Sequence, residues 1–269
     1  MRPLTIATCQ HDVGGDVKKN LSSILKQISI AKSKHADIVH FPECNLVGYG
    51  GFDIPRITKE DFGEVQEALD MVKELAERME IKVILGSHHF TVNAIKPKNC
   101  LYLINEEGEI ETRYDKRILT GTEGSMDHVH YSHGDNPVVF TMKGVKCGML
   151  ICHEWRYPEL YRAYKKMGVE VIFQSWYDGS LDEATYQSEG VNTGELIVGS
   201  VRGNAANNYL WISGSNTSKR ESCFPSFMVQ PDGNILDKLS RNKPGVLISQ
   251  IDLDKKYEDP SFYGRKGFL

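Results

Sequence analysis

Long apolar runs and an excess of positive charge are both missing from this 269-residue chain. No uninterrupted apolar stretch approaches the roughly 20 residues that a bilayer-spanning helix needs. The first ten residues, Met1–Gln10, become polar too early for a secretory signal peptide. Lys and Arg number 32 against 36 Asp and Glu, which gives a formal net charge of -4. We therefore expect neither a membrane nor a nucleic acid as a partner.

Cysteine is sparse, with six residues and no Cys-x-x-Cys pair. This pattern argues against a disulfide scaffold and a structural zinc site, and it predicts free thiols in a reducing, cytoplasmic compartment. The nearby histidines His128, His130 and His133 have no carboxylates or cysteines at the spacing of known metal ligands, and neither has the pair His88-His89. We therefore expect no metal ion.

Three familiar signatures are also absent from the sequence. There is no Gly-x-Ser-x-Gly elbow, which disfavours a serine hydrolase. There is no P-loop and no Gly-x-Gly-x-x-Gly fingerprint, which removes the usual nucleotide-binding interpretations.

What the chain does have is the composition of an ordinary globular protein, with 40% hydrophobic and 25% charged residues. Short apolar runs recur from Leu4–Cys9 to Val246–Ile251, and several are continuous, as in strands covered on both faces. Amphipathic stripes predict helices over 21–31 and 62–79, and two more after Pro158 and over 193–207. The pattern predicts sheets with helices on their outer faces, an α/β sandwich in one domain. The polar and aromatic tail from about Lys255 is expected to be an arm that packs on another surface, with a partner subunit as one candidate.

Two charged residues follow predicted strands. The apolar segment Ile38–Phe41 runs into Pro42 and then Glu43, and the carboxyl end of a strand is where α/β proteins place ligands. Glu43 is therefore a candidate for acid–base chemistry, with an exposed loop glutamate as the commoner alternative. Lys116 follows a turn and a strand-like stretch, and for it a surface charge cluster is the alternative.

Cys152 is the strongest single candidate. A buried-looking strand ends at Cys152, and Pro158 suits the first turn of a following helix. A cysteine at such a junction is exposed to the helix N-terminal dipole, which lowers the thiol pKa. The adjacent backbone N–H groups are placed to bind an oxyanion. A small buried hydrophobe is the alternative, and we assign it to the other five cysteines.

The order Glu43, Lys116, Cys152, with these flanks, resembles the nitrilase, or carbon–nitrogen hydrolase, superfamily. In that family the glutamate follows Phe-Pro, the lysine sits in Tyr-x-Lys, and the nucleophile opens Cys-x-(Asp/Glu)-x-Arg-(Phe/Tyr)-Pro-Glu, which Cys152–Glu159 matches without a gap. The chain departs from the family at His153, where tyrosine or tryptophan is common, and at Asn204–Asn208, where Arg-Ala-x-Glu-Asn is frequent. Weaker similarities are found at Asn99, Gln174-Ser175-Trp176, Asn208, Asn216 and Pro231-Asp232-Gly233.

The resemblance implies a single domain over 1–269 with a four-layer α-β-β-α sandwich. It assigns the nucleophile to Cys152, the base to Glu43, and oxyanion binding to Lys116 and the His153 backbone N–H. By the same resemblance Glu123 is a second acid that orients water or the amine. No metal or organic cofactor is needed, and the family implies a homodimer, formed by the helix after Cys152 and the helix before Asn208, or a higher even-numbered assembly.

The function that follows is hydrolysis of a non-peptide C–N bond in a small primary amide, through a thioester on Cys152. An N-carbamoyl amidohydrolase and a true nitrilase are the alternatives within this chemistry, and a catalytically silent ligand-binding relative is the alternative outside it. His153 and Trp176 are candidates for substrate binding, with core packing as the alternative for Trp176. Arg156 and Arg202 are candidates for a substrate carboxylate, with structural ion pairing as the alternative.

Overall fold

Two six-stranded sheets form the centre of the computed structural model, which describes residues 3–59 and 62–268. The first sheet has the order β12-β1-β2-β3-β4-β5 and the second the order β11-β10-β9-β8-β7-β6. The strands are β1 (Pro3–Gln10), β2 (Ile38–His40), β3 (Lys82–His89), β4 (Lys98–Ile104), β5 (Ile110–Asp115), β6 (Val139–Met142), β7 (Val145–Ile151), β8 (Val171–Ser175), β9 (Trp211–Ser215), β10 (Phe227–Val229), β11 (Ile235–Lys238) and β12 (Gly245–Asp252).

Each sheet has a parallel centre and antiparallel edges. Strands β1, β2 and β3 run parallel, as do β7, β8 and β9, whereas hairpins add β4 and β5 to one sheet and β10 and β11 to the other. Parallel neighbours need long crossover connections, and these contain helices. The helices are α1 (Val17–Ser33), α2 (Phe62–Met79), α3 (Asp127–His130), α4 (Pro158–Lys166), α5 (Glu183–Thr185), α6 (Val191–Asn208) and α7 (Phe262–Phe268).

The helices cover the outer faces of the sheets. On α1 the buried stripe includes Ile24, Ile28 and Ala31, and Asp16 caps its start by accepting a hydrogen bond from the Lys19 N–H. Helices α1 and α2 pack together beside the first sheet, and α4 packs on α6 beside the second. This arrangement confirms the predicted four-layer α-β-β-α sandwich.

The two sheets are joined across their interface by polar side chains. The imidazole of His40 lies 2.9 Å from the hydroxyl of Ser213 through Nδ1 and 2.9 Å from that of Ser175 through Nε2. The Thr8 hydroxyl lies 2.7 Å from the same Ser213 hydroxyl. All four residues are fully buried, so these bonds fix the position of one sheet relative to the other.

The tail beyond β12 packs on its own chain. The Tyr257 N–H donates to the Tyr209 hydroxyl at 2.9 Å, and the Tyr257 ring meets Trp211 edge-on at 5.4 Å. Arg265 donates to the Asn207 carbonyl at 3.1 Å, at the end of α6. Within 3–59 and 62–268, none of the helices combines the length and apolar character that a membrane crossing demands.

Candidate active site

The three candidate residues of the sequence meet where strands of both sheets end. Glu43 follows β2 in the first sheet, Lys116 follows β5, and Cys152 follows β7 in the second sheet. The sheets are linked there, because the Glu43 N–H donates to the Trp176 carbonyl, at 3.2 Å, just beyond β8. The site therefore lies at the strand ends, as predicted for an α/β protein.

The Glu43 carboxylate is fully buried and held at both oxygens. Oε1 accepts from Lys116 Nζ at 2.9 Å and from Asn99 Nδ2 at 2.7 Å, and Oε2 accepts from the Tyr177 N–H at 3.0 Å. Burial raises the pKa of Glu43 above its ordinary value, and the Asp127 carboxylate raises it further, although Lys116 acts in the opposite direction. This environment favours a carboxyl group that takes up a proton more readily than an exposed one.

Lys116 is buried between two carboxylates. Besides Glu43, its ammonium donates to Asp127 Oδ2 at 2.7 Å, and it lies 3.3 Å from the Thr120 hydroxyl and 3.4 Å from the Tyr49 hydroxyl. Burial acts to lower the Lys116 pKa, but Glu43 and Asp127 outweigh it and raise the pKa well above the usual value. Lys116 is therefore held in place by its partners, and its environment favours the charged form.

The second acid at Lys116 is Asp127, whereas sequence reasoning chose Glu123. Glu123 is exposed, and its carboxylate makes none of the contacts around Lys116. Asp127 is fully buried at the start of α3 and accepts hydrogen bonds from the Tyr49 hydroxyl and from the Thr120 N–H. The loop between Lys116 and Asp127 turns at Gly121 and Gly124, which both have positive φ, so spacing along the chain did not reveal which carboxylate returns to the lysine.

Cys152 begins a short 3-10 helix, Cys152–Arg156, with φ at 41°. This left-handed conformation is rare for a residue with a side chain and marks a sharp turn at the end of β7. Burial raises the pKa of the thiol, and the Glu43 carboxylate raises it further, while Lys116 acts to lower it. The sequence predicted a pKa lowered by a helix dipole. The direction differs because burial disfavours the charged thiolate and the buried Glu43 carboxylate disfavours it further.

Glu154, two residues beyond Cys152, is fully buried, and its carboxylate accepts hydrogen bonds from uncharged donors. Its carboxylate accepts from the Ile151 N–H at 2.7 Å, from the Tyr114 hydroxyl at 2.7 Å and from the Arg117 N–H at 2.8 Å. These bonds join the turn that carries Cys152 to the segment that carries Lys116. The sequence showed Glu154 only as part of a motif and gave no role for it.

The two candidate substrate-binding residues differ in position. His153 is partly exposed, with its ring 5.9 Å from that of Tyr157, and burial followed by the charge of Lys116 lowers its pKa. Trp176 is fully buried and packs edge-on against Phe224 at 5.5 Å. The ring of Trp176 therefore belongs to the hydrophobic core, which favours the core-packing alternative over contact with the substrate.

Among the described residues, no group of three His, Cys, Asp or Glu side chains is arranged to hold a metal ion. The chemistry available to the cluster comes from a thiol, two carboxylates and an ammonium group, all supplied by the protein.

The chain is similar to known proteins over nearly all of its length. The carbon-nitrogen hydrolase family model matches residues 5–260. The chain is 28% identical over 258 residues to 2-oxoglutaramate amidase of Bacillus subtilis (strain 168), covering 94% of this chain and 93% of that protein. It is 23% identical to N-carbamoylputrescine amidase of Solanum tuberosum, covering 94% and 88%.

Its fold is similar to that of a nitrilase-superfamily amidase from Nesterenkonia AN1, with a TM-score of 0.78 at 20% identity over 99% of this chain and 97% of the other. In one structure of that amidase the acetamide moiety of fluoroacetamide is attached covalently to the active-site cysteine. The family match spans nearly all of the sequence. The chain belongs to the carbon–nitrogen hydrolase family.

Proposed function

We propose that this protein is a thiol-dependent hydrolase that cleaves the C–N bond of a small amide to a carboxylic acid and ammonia. The observation that carries the proposal is the buried contact of Lys116 Nζ with Glu43 Oε1, at 2.9 Å, beside the turn of Cys152. A buried base, a fixed cation and a thiol at one set of strand ends are the groups that acyl transfer requires.

In the first half of the reaction Glu43 takes the proton from Cys152 Sγ, and the sulfur attacks the amide carbonyl carbon. The C–S bond forms while the carbonyl electrons move to oxygen. The C–N bond then breaks, and Glu43 returns the proton to the leaving nitrogen, which departs as ammonia. A thioester remains on Cys152.

In the second half Glu43 takes a proton from water, and the hydroxide oxygen attacks the thioester carbon. The C–S bond breaks, the sulfur regains a proton from Glu43, and the carboxylic acid leaves. The raised pKa of Glu43 suits both proton transfers, because a base works best when its pKa lies near the working pH. Cys152 and Glu43 act as one proton-sharing pair.

Lys116 and the His153 backbone N–H are the proposed donors to the oxyanion that forms in both halves. The Lys116 ammonium is also held by Asp127, to whose Oδ2 it donates at 2.7 Å. Asp127 is therefore proposed as a positioning residue. The role of orienting the attacking water, which the sequence assigned to Glu123, is not carried over to that exposed side chain.

The relatives named as amidases act on amides, which favours the amide as substrate class. The relatives named N-carbamoylputrescine amidase support an N-carbamoyl compound as the second candidate, since its carbonyl carbon also bears a nitrogen leaving group. A cytoplasmic location remains a prediction.

The test is ammonia release from a panel of short primary amides, N-carbamoyl amines and nitriles, with hydroxylamine added to trap the acyl group. Hydroxamate formed from an amide supports the proposal. Cys152→Ala should abolish turnover, with Cys147→Ala, a buried cysteine of the same strand region, as the matched control. Ammonia from nitriles alone would favour a nitrilase, and inertness toward every compound would favour a silent binding protein.

A further inference from the structure

Asp178 occupies a fixed position beside the reacting groups. It follows Tyr177, whose N–H binds Glu43, just beyond the end of β8. The Asp178 N–H donates to Asn216 Oδ1 at 2.9 Å, and its carbonyl accepts from Asn216 Nδ2 at 3.1 Å. Asn216 is fully buried. The backbone of Asp178 is therefore held on both sides, and its side chain projects from a rigid support.

The Asp178 carboxylate has no cationic partner within 3–59 and 62–268. Its hydrogen-bond partner is the weakly polar thiol of Cys223. Lys219, on the adjoining loop, pairs with Asp53 instead. The residue is partly exposed, so a ligand can reach it. Burial raises the pKa of the carboxyl group, as expected where no positive charge compensates.

The strand register places Asp178 close to the nucleophile, because Ser175 on β8 pairs with Ile151, the residue before Cys152. Burial and the charge of Glu43 raise the pKa of the Cys152 thiol most, the charges of Asp178 and Asp127 add to this, and Lys116 is the cation that opposes them. Three carboxylates therefore act on the thiol pKa against one ammonium, and that ammonium is already bound to Glu43 and Asp127. Of these three carboxylates, Glu43 and Asp127 form salt bridges with Lys116. Asp178 forms no salt bridge among the described residues.

The arginines considered for a substrate carboxylate are engaged elsewhere. Arg156 is exposed and stacks on the Trp155 ring at 4.5 Å, and Arg202 Nε donates to the Gly233 carbonyl at 2.8 Å. A carboxylate on the substrate would meet the negative charge of Asp178, whereas an ammonium would be attracted to it and would be partly shielded from water there.

We propose that Asp178 is a specificity residue that selects amides carrying a protonated amine at the end remote from the scissile bond, over amides carrying a carboxylate. The proposal rests on the amidase function proposed above and names its substrate class. The ammonium would form a charge-assisted hydrogen bond with Asp178 while the amide carbonyl lies at Cys152.

The test is kcat/KM for three amide series of matched chain length, ending in an ammonium, a methyl or a carboxylate group. For the wild type we expect the ammonium series to exceed the methyl series by about tenfold or more, and the carboxylate series to be the poorest. Asp178→Asn should lower kcat/KM for the best ammonium amide by about tenfold or more relative to the matched methyl amide, a ratio from which any effect of the Asp178 charge on Cys152 cancels because both series share that nucleophile. Glu189→Gln, which removes an exposed charge, is the matched control and should leave this ratio unchanged.

A wild-type preference for carboxylate amides, or an ammonium preference that survives Asp178→Asn, would overturn the proposal. If Asp178→Asn does not fold, Asp178→Glu is the second variant. Asp178→Glu keeps the negative charge but places it one methylene further from the backbone, so the ammonium amide with the highest kcat/KM should have a shorter chain than for the wild type. An unchanged optimal chain length would count against the proposal.

Calorimetry on Cys152→Ala separates this inference from the function itself. If wild-type protein hydrolyses no amide, the proposed function fails, but the binding of ammonium and methyl amides to Cys152→Ala can still be compared. Tighter binding of the ammonium series, lost in the double variant with Asp178→Asn, supports the role of Asp178. Equal binding of the two series contradicts it.

Discussion

The carboxylate of Glu154 accepts a hydrogen bond from the backbone N–H of Arg117 at 2.8 Å, although the two residues lie 37 positions apart in the chain. Arg117 follows Lys116, and Glu154 belongs to the turn that begins at Cys152. One buried carboxylate therefore sets the distance between the ammonium and the thiol.

Glu154→Gln should damage both stability and rate. The amide nitrogen of glutamine would face N–H donors that now bind a carboxylate, and an unsatisfied buried donor costs about 1–3 kcal/mol. We expect the free energy of unfolding to fall by about that amount and kcat to fall by about tenfold, with KM less affected. Urea unfolding and steady-state kinetics measure the two effects.

The control for Glu154→Gln is Glu159→Gln, which changes an exposed carboxylate of the same motif at the start of α4. An equal loss of kcat in both variants would show that Glu154 has no special role in positioning. A smaller loss of kcat in Glu154→Asp, which keeps a carboxylate, than in Glu154→Gln would agree with the geometry.

Lys116→Met should abolish catalysis while preserving the volume of the side chain. Loss of an oxyanion donor costs about a hundredfold or more in kcat. Glu43 and Asp127 would be left buried without their cation, and breaking a buried pair costs about 3–5 kcal/mol of stability. Iodoacetamide should also modify Cys152 more slowly at neutral pH, because the nearby cation that favours the thiolate is gone. Wild-type rates of alkylation and turnover would contradict the assignment.

Asp127 and Glu123 can be separated by two conservative variants. Asp127→Asn should lower kcat by about tenfold or more, since Lys116 loses a partner at 2.7 Å. Glu123→Gln should change kcat by less than about threefold, because the side chain is exposed. The reverse ranking would restore the role that the sequence assigned to Glu123.

The pH dependence of kcat/KM should report the raised pKa of Glu43. The base must be deprotonated in the free enzyme, so activity should rise with pH along a limb centred above the ordinary value of about 4.3 for glutamate. Asp127→Asn removes a negative charge that raises this pKa, so the limb should move to lower pH. A limb that stays in place, or moves upward, would mean that Glu43 is not the group that titrates.

We propose, as the family implies, a homodimer that uses α4 and α6. Leu196 on α6 is 57% exposed, which is unusual for a large apolar side chain and favours a covered face. Leu196→Glu should shift the mass measured by light scattering toward the monomer at micromolar concentration. Met71→Glu, on α2 at the other outer face and 47% exposed, is the matched control. A monomeric wild type would contradict the prediction, and a higher even-numbered assembly would not.

Local patterns predicted the parts of the molecule that depend on neighbours in sequence. Continuous apolar runs marked β1, β7 and β8 because both faces of these strands are covered. The motif from Cys152 to Pro158 was visible because the turn and the following helix are encoded within seven residues. The sequence pointed to Glu123 as the second acid, whereas the structure places Asp127 at Lys116, because a loop with two glycine turns determines which carboxylate reaches the lysine.

The same limit applies to Trp176 and Asp178, which are two residues apart and follow the same strand. An aromatic side chain at a strand end is consistent with either a pocket or the core, and only the packing against Phe224 assigns Trp176 to the core. Asp178 carried no signal at all, because its importance comes from the absence of a cation among residues distant in sequence.

The bonds that His40 makes to Ser175 and Ser213 join two sheets that carry different catalytic groups. The base and the ammonium group are attached to the first sheet, and the nucleophile to the second, so each half of the polypeptide carries an incomplete set of reagents. A break in the loop between β5 and β6 would separate the base and the lysine from the thiol. Neither fragment could perform acyl transfer alone, and restored activity would report the correct reassembly of the two fragments.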